Sequence, residues 1–298
     1  MWVRVLGSAA GGGFPQWNCA CRNCAGVRAG TVAARTRTQS SVAVSADRRR
    51  WLLVNATPDV GPQLAMAAPA GDGRVRARPV TAVLLTDAEL DHVAGLLTLR
   101  EGGGLVVYAT AWILWAAAPI LDILSAYVPV GRRQLPVGVD TLLTGASGLS
   151  CRPIAAGSAK LPRYVRGLPA DATAVIGYRF TDAVGAILAY VPCLPELTDD
   201  IAAELKGSDC VFLDGTCWTD DELAVVGLPA KSARSMGHAP VTGPAGTLER
   251  FAALPTRRRI YTHLNNTNPL LVEDSVQRKR VEGYGIEVAY DGMEFELP

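Results

Sequence analysis

Apolar and polar positions along the chain follow a period of two in some stretches and about 3.6 in others. An apolar strand, WVRVLG, opens the pattern and runs into the Gly-rich stretch GSAAGGGF. SSVAVSA and WLLVNA predict a hairpin turning at Asp47 to Arg49. TAVLLT (81–86) and LVVYAT (105–110) predict further strands. The pattern of VAGLLTLREG predicts a helix between them, and AWILWAAAPILDILSA a helix after the second. AVIGYRF and AILAYV predict another hairpin. TDDIAAELKG predicts a helix capped by Thr198, acidic in its first turn and closed by Gly207. DCVFLDG and RRRIYTH predict strands flanking a helix in TGPAGTLERFAALP, and GIEVAYDGMEFELP a closing hairpin turning at Asp291-Gly292. Hairpins gather at both ends with strand–helix units between them, and no linker or fixed-period repeat interrupts. The pattern predicts one α/β domain over 1–298, its mixed sheets covered by helices.

Composition narrows the classes of function. Apolar residues make up 49% of the 298 and charged residues 19%, the balance of a globular chain. The formal charge of +1 leaves no electrostatic footprint for nucleic acid or anionic lipid. Arg48 to Arg50 and Arg257 to Arg259 each precede an apolar strand and read as solvated turns. The first residues lack the charged-then-apolar build of a signal peptide. Residues 105–128 are the most membrane-like stretch, but Pro119 and Asp122 interrupt them, so they read as core. No membrane partner and a cytoplasmic location are expected. Seven cysteines, three within six residues, point to metal instead of a disulfide framework.

The candidate chemistry sits in loops. TDAELDH places Asp87, Glu89, Asp91 and His92 directly after the apolar run TAVLL. His92, His238 and His263 are the only histidines of the chain, and His92 and His263 both follow apolar strands. Asp91, His92 and the distant His263 would supply two imidazoles and one carboxylate. That set leaves positions open on a non-haem Fe(II) for substrate and dioxygen, and it also suits Zn with water as nucleophile. The residues alone do not choose the metal, and Zn or Mn at this site stays open beside Fe(II). Cys19, Cys21 and Cys24 in NCACRNC offer three thiolates for a structural Zn. Asn266, Cys217, an acidic side chain or water are the candidates for a fourth ligand. Cys151, Cys193 and Cys210 lie in strand-like apolar contexts and read as core. GSAAGGGF fits neither phosphate-loop pattern and reads as glycine needed for close approach to the neighbouring Cys loop.

TDAELDH has the frame of the metallo-β-lactamase superfamily's H-x-H-x-D-H and keeps its last two members as Asp91 and His92. More specifically, LGSAAGGGFPQWNCACRNC, LLTDAELDHVAGLLTLREG, SMGHAPVTG and YTHLNNTNP resemble the coenzyme pyrroloquinoline quinone (PQQ) biosynthesis protein B family. The matching stretches run from residue 6 to residue 269. The resemblance implies an αββα four-layer sandwich with a metal site along one edge between two sheets. It also implies Fe(II)- and O2-dependent hydroxylation of the tyrosine ring in a cross-linked Glu–Tyr precursor of PQQ. The alternatives are a carrier of PQQ or its precursor, or a Zn hydrolase. Against the superfamily frame, Asp87 and Glu89 replace the first two histidines. Cys193, in AYVPCLPEL, stands near the place of the bridging carboxylate. These departures leave Asp91, His92 and His263 as a single-metal set. His238, in MGHAP, resembles the proton-donor loop of related phosphodiesterases and RNA-processing nucleases, which implies acid–base work on the substrate, with metal ligation as the second reading. Asp214, in VFLDGTCW, is expected to fix a ligand histidine. Asp87 and Glu89 are read as alternative ligands, supporting acids or substrate contacts, and Asn55 and Asp59 as rim residues or as turn and cap residues. The expected partners are a small tyrosine-derived precursor and O2, with no nucleic acid and a homodimer left open.

Overall fold

The computed structural model describes residues 1–67, 80–146, 148–157, 161–167, 169, 171–228 and 231–298. Among these, the first seven-stranded sheet takes β1 (Trp2–Gly7), β2 (Ser41–Ser45), β3 (Trp51–Val54), β4 (Val80–Leu84), β5 (Leu105–Ala109) and β6 (Val130–Gln134). The second takes β7 (Thr141–Leu142), β8 (Ser150–Ala155), β9 (Ile176–Thr181), β10 (Ile187–Val191), β11 (Cys210–Asp214), β12 (Arg258–Thr262) and β13 (Ile286–Val288). The last strand, β14 (Glu294–Glu296), returns to the first sheet beside β1. Both sheets are mixed. β1 to β3 pair antiparallel and β3 to β6 parallel, while β7 to β10 pair antiparallel and β10 to β13 parallel.

Alternation along the strands assigns the two faces of the second sheet. Leu188, Tyr190, Phe212 and Ile260 join the core shared with the first sheet. Their neighbours Ala189, Val191, Val211, Leu213 and Tyr261 face a second cluster with Ile201, Phe251 and Val281, from the helices Asp199–Leu205, Leu248–Ala252 and Val276–Gly283. Hydrogen bonds also tie sheet to sheet, with Tyr178 Oη donating to the Leu85 carbonyl at 2.8 Å and Tyr190 Oη meeting Ser40 Oγ at 2.9 Å.

The expected closing hairpin is overturned, because β13 and β14 lie in different sheets. Asp291 pins the crossing instead: its carboxylate accepts from Ser8 Oγ at 2.8 Å, Thr38 N at 2.6 Å and Thr38 Oγ1 at 2.8 Å. An Asp-Gly turn suits any sharp reversal, and here the reversal joins two layers. The helix expected over AWILWAAAPILDILSA is two helices, Ala111–Ala116 and Ala118–Ser125. Pro119 has no N–H to donate, so it is tolerated in a first turn and starts the second helix. VAGLLTLREG winds as a 3-10 helix over Ala94–Gly102, and within TGPAGTLERFAALP only Leu248–Ala252 is helical. No helix among the described residues is long and apolar enough to cross a membrane.

Candidate metal centre

Both sheets turn the carboxyl ends of their parallel strands toward one place, the edge where mixed sheets bind ligands. β4 ends in the TDAELDH loop, which hydrogen bonds clamp between the layers. Ile176 N donates to the Thr86 carbonyl at 2.8 Å, just as Tyr178 holds Leu85. Asp87 Oδ1 accepts from Glu89 N at 2.9 Å, a side-chain turn that feeds the short helix Leu90–Val93. Asp91 and His92 ride on that helix.

His92 is held from behind. Its Nδ1 lies 2.7 Å from Asp87 Oδ2, which also accepts from Thr86 Oγ1 at 3.0 Å. Asn55, with φ 64°, steadies Thr86 by donating to its hydroxyl at 2.9 Å and accepting from its backbone N–H at 2.9 Å. The other ring nitrogen, Nε2, is buried and has no hydrogen-bond partner among the described residues. It points to Asp91, whose Oδ2 lies 3.9 Å away. His263 comes from the end of β12 with its backbone at φ 59°, a left-handed conformation that a non-glycine residue seldom adopts. Its Nε2 lies 3.8 Å from the same Asp91 oxygen, and the His92 and His263 rings meet edge to face at 5.3 Å.

Burial opposes charge on His92, yet Asp87 and then Asp91 outweigh it and raise its pKa to about 9. Burial also opposes charge on Asp91, but His92 and His263 hold its carboxyl well below the usual range. On His263 burial prevails, and its pKa is lowered. Two inward-facing imidazole nitrogens, one of them unpartnered, beside a carboxylate oxygen fit a divalent metal ion, which would meet all three donors at once.

The remaining expected residues divide. Asp87 acts through His92. Asp214 Oδ2 lies 2.7 Å from His238 Nδ1, and the His238 ring stacks on His263 with centroids 5.2 Å apart. Glu89 lines a cleft of about 630 Å³ with Leu90, Asp91, Arg163, Tyr164 and Lys231. Asp59 is drawn away from this cleft, since its Oδ2 accepts from Gln39 N at 2.9 Å and Gln39 Nε2 at 3.0 Å. Two contacts complete the picture. Cys193, read as core from its context and placed near the bridging carboxylate's position by the resemblance, is buried and sits 3.9 Å from His263 Nε2, and it shares with His92 and His263 a set of donors all within 4.8 Å. Thr216 Oγ1 lies 2.8 Å from His263 Nδ1.

The Gly-rich stretch also departs from expectation. Ala10 N donates to the Leu264 carbonyl at 2.8 Å, which ties the stretch to the segment after His263. Its close approach is to Asp91, because a Cβ on Gly11 would fall 2.9 Å from Asp91 Oδ2.

The second candidate centre is Cys19, Cys21 and Cys24, whose sulfurs lie within 4.8 Å of one another. Cys21 caps the helix Arg22–Ala29, its sulfur accepting from Cys24 N. Of the candidate fourth ligands, Asn266 reaches the cluster, with its side-chain amide 3.0, 3.7 and 3.3 Å from the sulfurs of Cys19, Cys21 and Cys24. Turned so that its oxygen faces the sulfurs, that amide would complete a four-donor set for Zn.

Residues 50–264 match the family model of the beta-lactamase superfamily domain. Coenzyme PQQ synthesis protein B from Cupriavidus necator is 47% identical over 99% of both chains, and its counterpart from Azoarcus sp. (strain BH72) is 42% identical over 100% of both. The crystal structure of Zn(2+)-bound PqqB from Methylobacterium extorquens superposes with a TM-score of 0.91 at 39% identity, covering 100% of each chain. A diphosphatase of the PhnP family, at 20% identity and a TM-score of 0.69, shares the fold.

Proposed function

Because the chain belongs to the coenzyme PQQ synthesis protein B family and carries the beta-lactamase superfamily fold, we propose that it hydroxylates a tyrosine-derived precursor of PQQ. The observation that carries this reading is one carboxylate oxygen set between two imidazoles. Asp91 Oδ2 lies 3.8 and 3.9 Å from the Nε2 atoms of His263 and His92, with a buried Nε2 left over. The position of the superfamily's first histidine is spent, since Asp87 uses one oxygen on His92 and the other on Glu89 N. That favours one metal ion over the pair a hydrolase of this fold employs.

Asp91, His92 and His263 would hold Fe(II), which when bound supplies electrons to dioxygen and leaves coordination positions free for it. Ring hydroxylation places one oxygen atom of O2 in an aromatic C–H bond and reduces the other to water, drawing two electrons and two protons from an external reductant. Asp87 orients His92. His238 handles the phenolic proton. Arg163 and Lys231 line the cleft beside Glu89, so that substrate carboxylates meet cations and an amino group meets an acid. The cleft, about 630 Å³, lies within the range that takes a small cross-linked amino acid. The Cys19, Cys21 and Cys24 site would hold Zn as a structural clasp between the N-terminal loop and Asn266.

The test reconstitutes the metal-free protein with Fe(II) under anaerobic conditions, supplies the Glu–Tyr precursor with a reductant, and then admits oxygen. A product heavier by one oxygen atom in the ring is expected. Turnover with Zn in the absence of oxygen would replace this reading with a hydrolase, and tight binding without turnover would replace it with a carrier.

A further inference from the structure

The hydroxyl of Thr216 is where the two histidines of the second sheet meet. Its Oγ1 lies 2.6 Å from Asp214 Oδ1, 2.8 Å from His263 Nδ1 and 3.1 Å from His238 Nδ1. Thr216 is only 3% exposed, so bulk water does not compete for these contacts. A hydroxyl has one proton to give and two lone pairs to accept with.

Asp214 determines where that proton goes. Oδ1 accepts from Thr216 N at 2.9 Å, and Oδ2 accepts from Leu194 N at 2.8 Å and from His238 Nδ1 at 2.7 Å. With the Thr216 hydroxyl these contacts fill the four acceptor sites of an ionised carboxylate. The separation of 2.6 Å is that of an O–H donating to a charged oxygen. The Thr216 proton therefore points at Asp214, and only lone pairs are left to face the imidazoles.

We infer that Thr216 is a positioning residue that holds His263 in the Nδ1–H tautomer, the one that Asp214 imposes on His238. Nε2 of His263 then carries its lone pair toward Asp91 and Cys193, where a metal ion would take it. In the same tautomer Nε2 of His238 carries a lone pair as well, and it is there that His238 would accept a proton. That last step rests on the hydroxylase reading, which supplies a phenol for Nε2 to meet. The tautomer assignment does not rest on it. Asp87 imposes the same tautomer on His92, so one arrangement governs every histidine of the chain.

Three histidines make the test direct. NMR of isotope-labelled histidine at alkaline pH, assigned through single His variants, reads which ring nitrogen carries the proton. The wild-type chain is expected to show Nδ1–H at His238 and His263. Thr216→Val keeps the shape and removes the hydroxyl, and His263 should lose its single tautomer. In a Zn(II) titration followed on the His263 signals, affinity should fall about tenfold to a hundredfold. Thr216→Ser should restore both. A wild-type His263 protonated at Nε2 would overturn the inference, as would a Thr216→Val protein with unchanged tautomers and unchanged Zn(II) affinity. If Thr216→Val does not fold, the wild-type spectrum still decides. None of these readouts depends on hydroxylation, so failure of that activity would leave them intact.

Discussion

Asp91 occupies space that exists because residue 11 is glycine. A methyl group on Gly11 would sit 2.9 Å from Asp91 Oδ2 and 3.2 Å from its Cγ, and the carboxylate is the part free to yield. Gly11→Ala should therefore leave thermal stability nearly unchanged while turning Asp91 away from His92 and His263. The expected result is loss of the active-site metal with the cysteine site still filled. Metal analysis after dialysis checks it, and full occupancy of both sites in the variant would refute the role given to Gly11.

Asp87→Ala tests the support behind His92. Removing the carboxylate leaves the buried Nδ1 without its 2.7 Å partner and frees the ring to turn. Affinity for the active-site metal should drop about tenfold to a hundredfold. The His92 pKa should also fall from about 9, because Asp87 is the strongest influence raising it. A chelator competition and an NMR titration of His92 measure the two effects separately.

Arg163 lines the cleft together with Glu89 and Asp91. If it meets a substrate carboxylate in the ground state and the transition state alike, Arg163→Ala should raise KM about tenfold with kcat little changed. A fall in kcat at constant KM would assign it a different task. Lys231→Ala should act in the same direction, and more weakly, because a point charge lacks the two-pronged geometry of a guanidinium.

Much of the fold was legible because its inner strands are short apolar runs closed by turn residues. WVRVLG, SSVAVSA, WLLVNA and DCVFLDG all carry that signal and all form strands. β6 and β7 did not show it, since VGRRQ and Thr141-Leu142 lie at the sheet edges, largely exposed, with no apolar face to display. β8 carries Arg152 and Pro153, which break the alternation a strand is recognised by. The residues proposed to face the metal, Asp91, His92 and His263, stood out by their chemistry, because histidine is scarce here and sits at strand ends. Thr216 was not, since a buried threonine after an apolar strand looks like core until its neighbours in space are known, and Cys193 was marked by the resemblance and not by its apolar context. The closing hairpin failed for the same reason: Asp291-Gly292 specifies a reversal of the chain and not which sheet receives the next strand.

Glu222 gives the protein a pH-dependent stability. Burial raises its pKa from 4.5 to about 7, against the hydrogen bonds that Thr267 and Trp218 N donate to it. An acid whose pKa is higher in the folded state is best accommodated protonated. Its contribution is complete below pH 4.5, declines as the pH rises toward about 7, and stays lost above that. The full swing would be about 3 kcal/mol at most. Glu222→Gln has no charge to bury, keeps an oxygen to accept from Trp218 N, and turns an amide N–H toward the Thr267 hydroxyl, which can accept it. Denaturant melts across this range should show the wild type losing stability relative to Glu222→Gln as the pH rises, and parallel curves would remove Glu222 as the cause.

The cysteine cluster joins segments far apart in the chain. Cys19, Cys21 and Cys24 belong to the loop and helix after β1, whereas Asn266 follows β12, and Asn23 reinforces the same junction by donating to the Asn268 carbonyl at 3.0 Å. An ion shared by these segments stabilises the folded chain by closing a long loop and by mass action. The His263 segment lies next to this junction, so the clasp would also set where one proposed ligand of the active-site metal stands. Cys24→Ser should remove one equivalent of Zn, lower the melting temperature and weaken metal binding at Asp91, His92 and His263. Asn266→Ala should weaken the cysteine site while leaving its three thiolates able to bind, giving a smaller drop in melting temperature. Cobalt substitution distinguishes the two variants, since three thiolates keep strong sulfur-to-metal absorption in Asn266→Ala, whereas Cys24→Ser, with its site emptied, loses it. Equal absorption and equal melting in wild type and Asn266→Ala would mean that the fourth position is filled by something other than this amide.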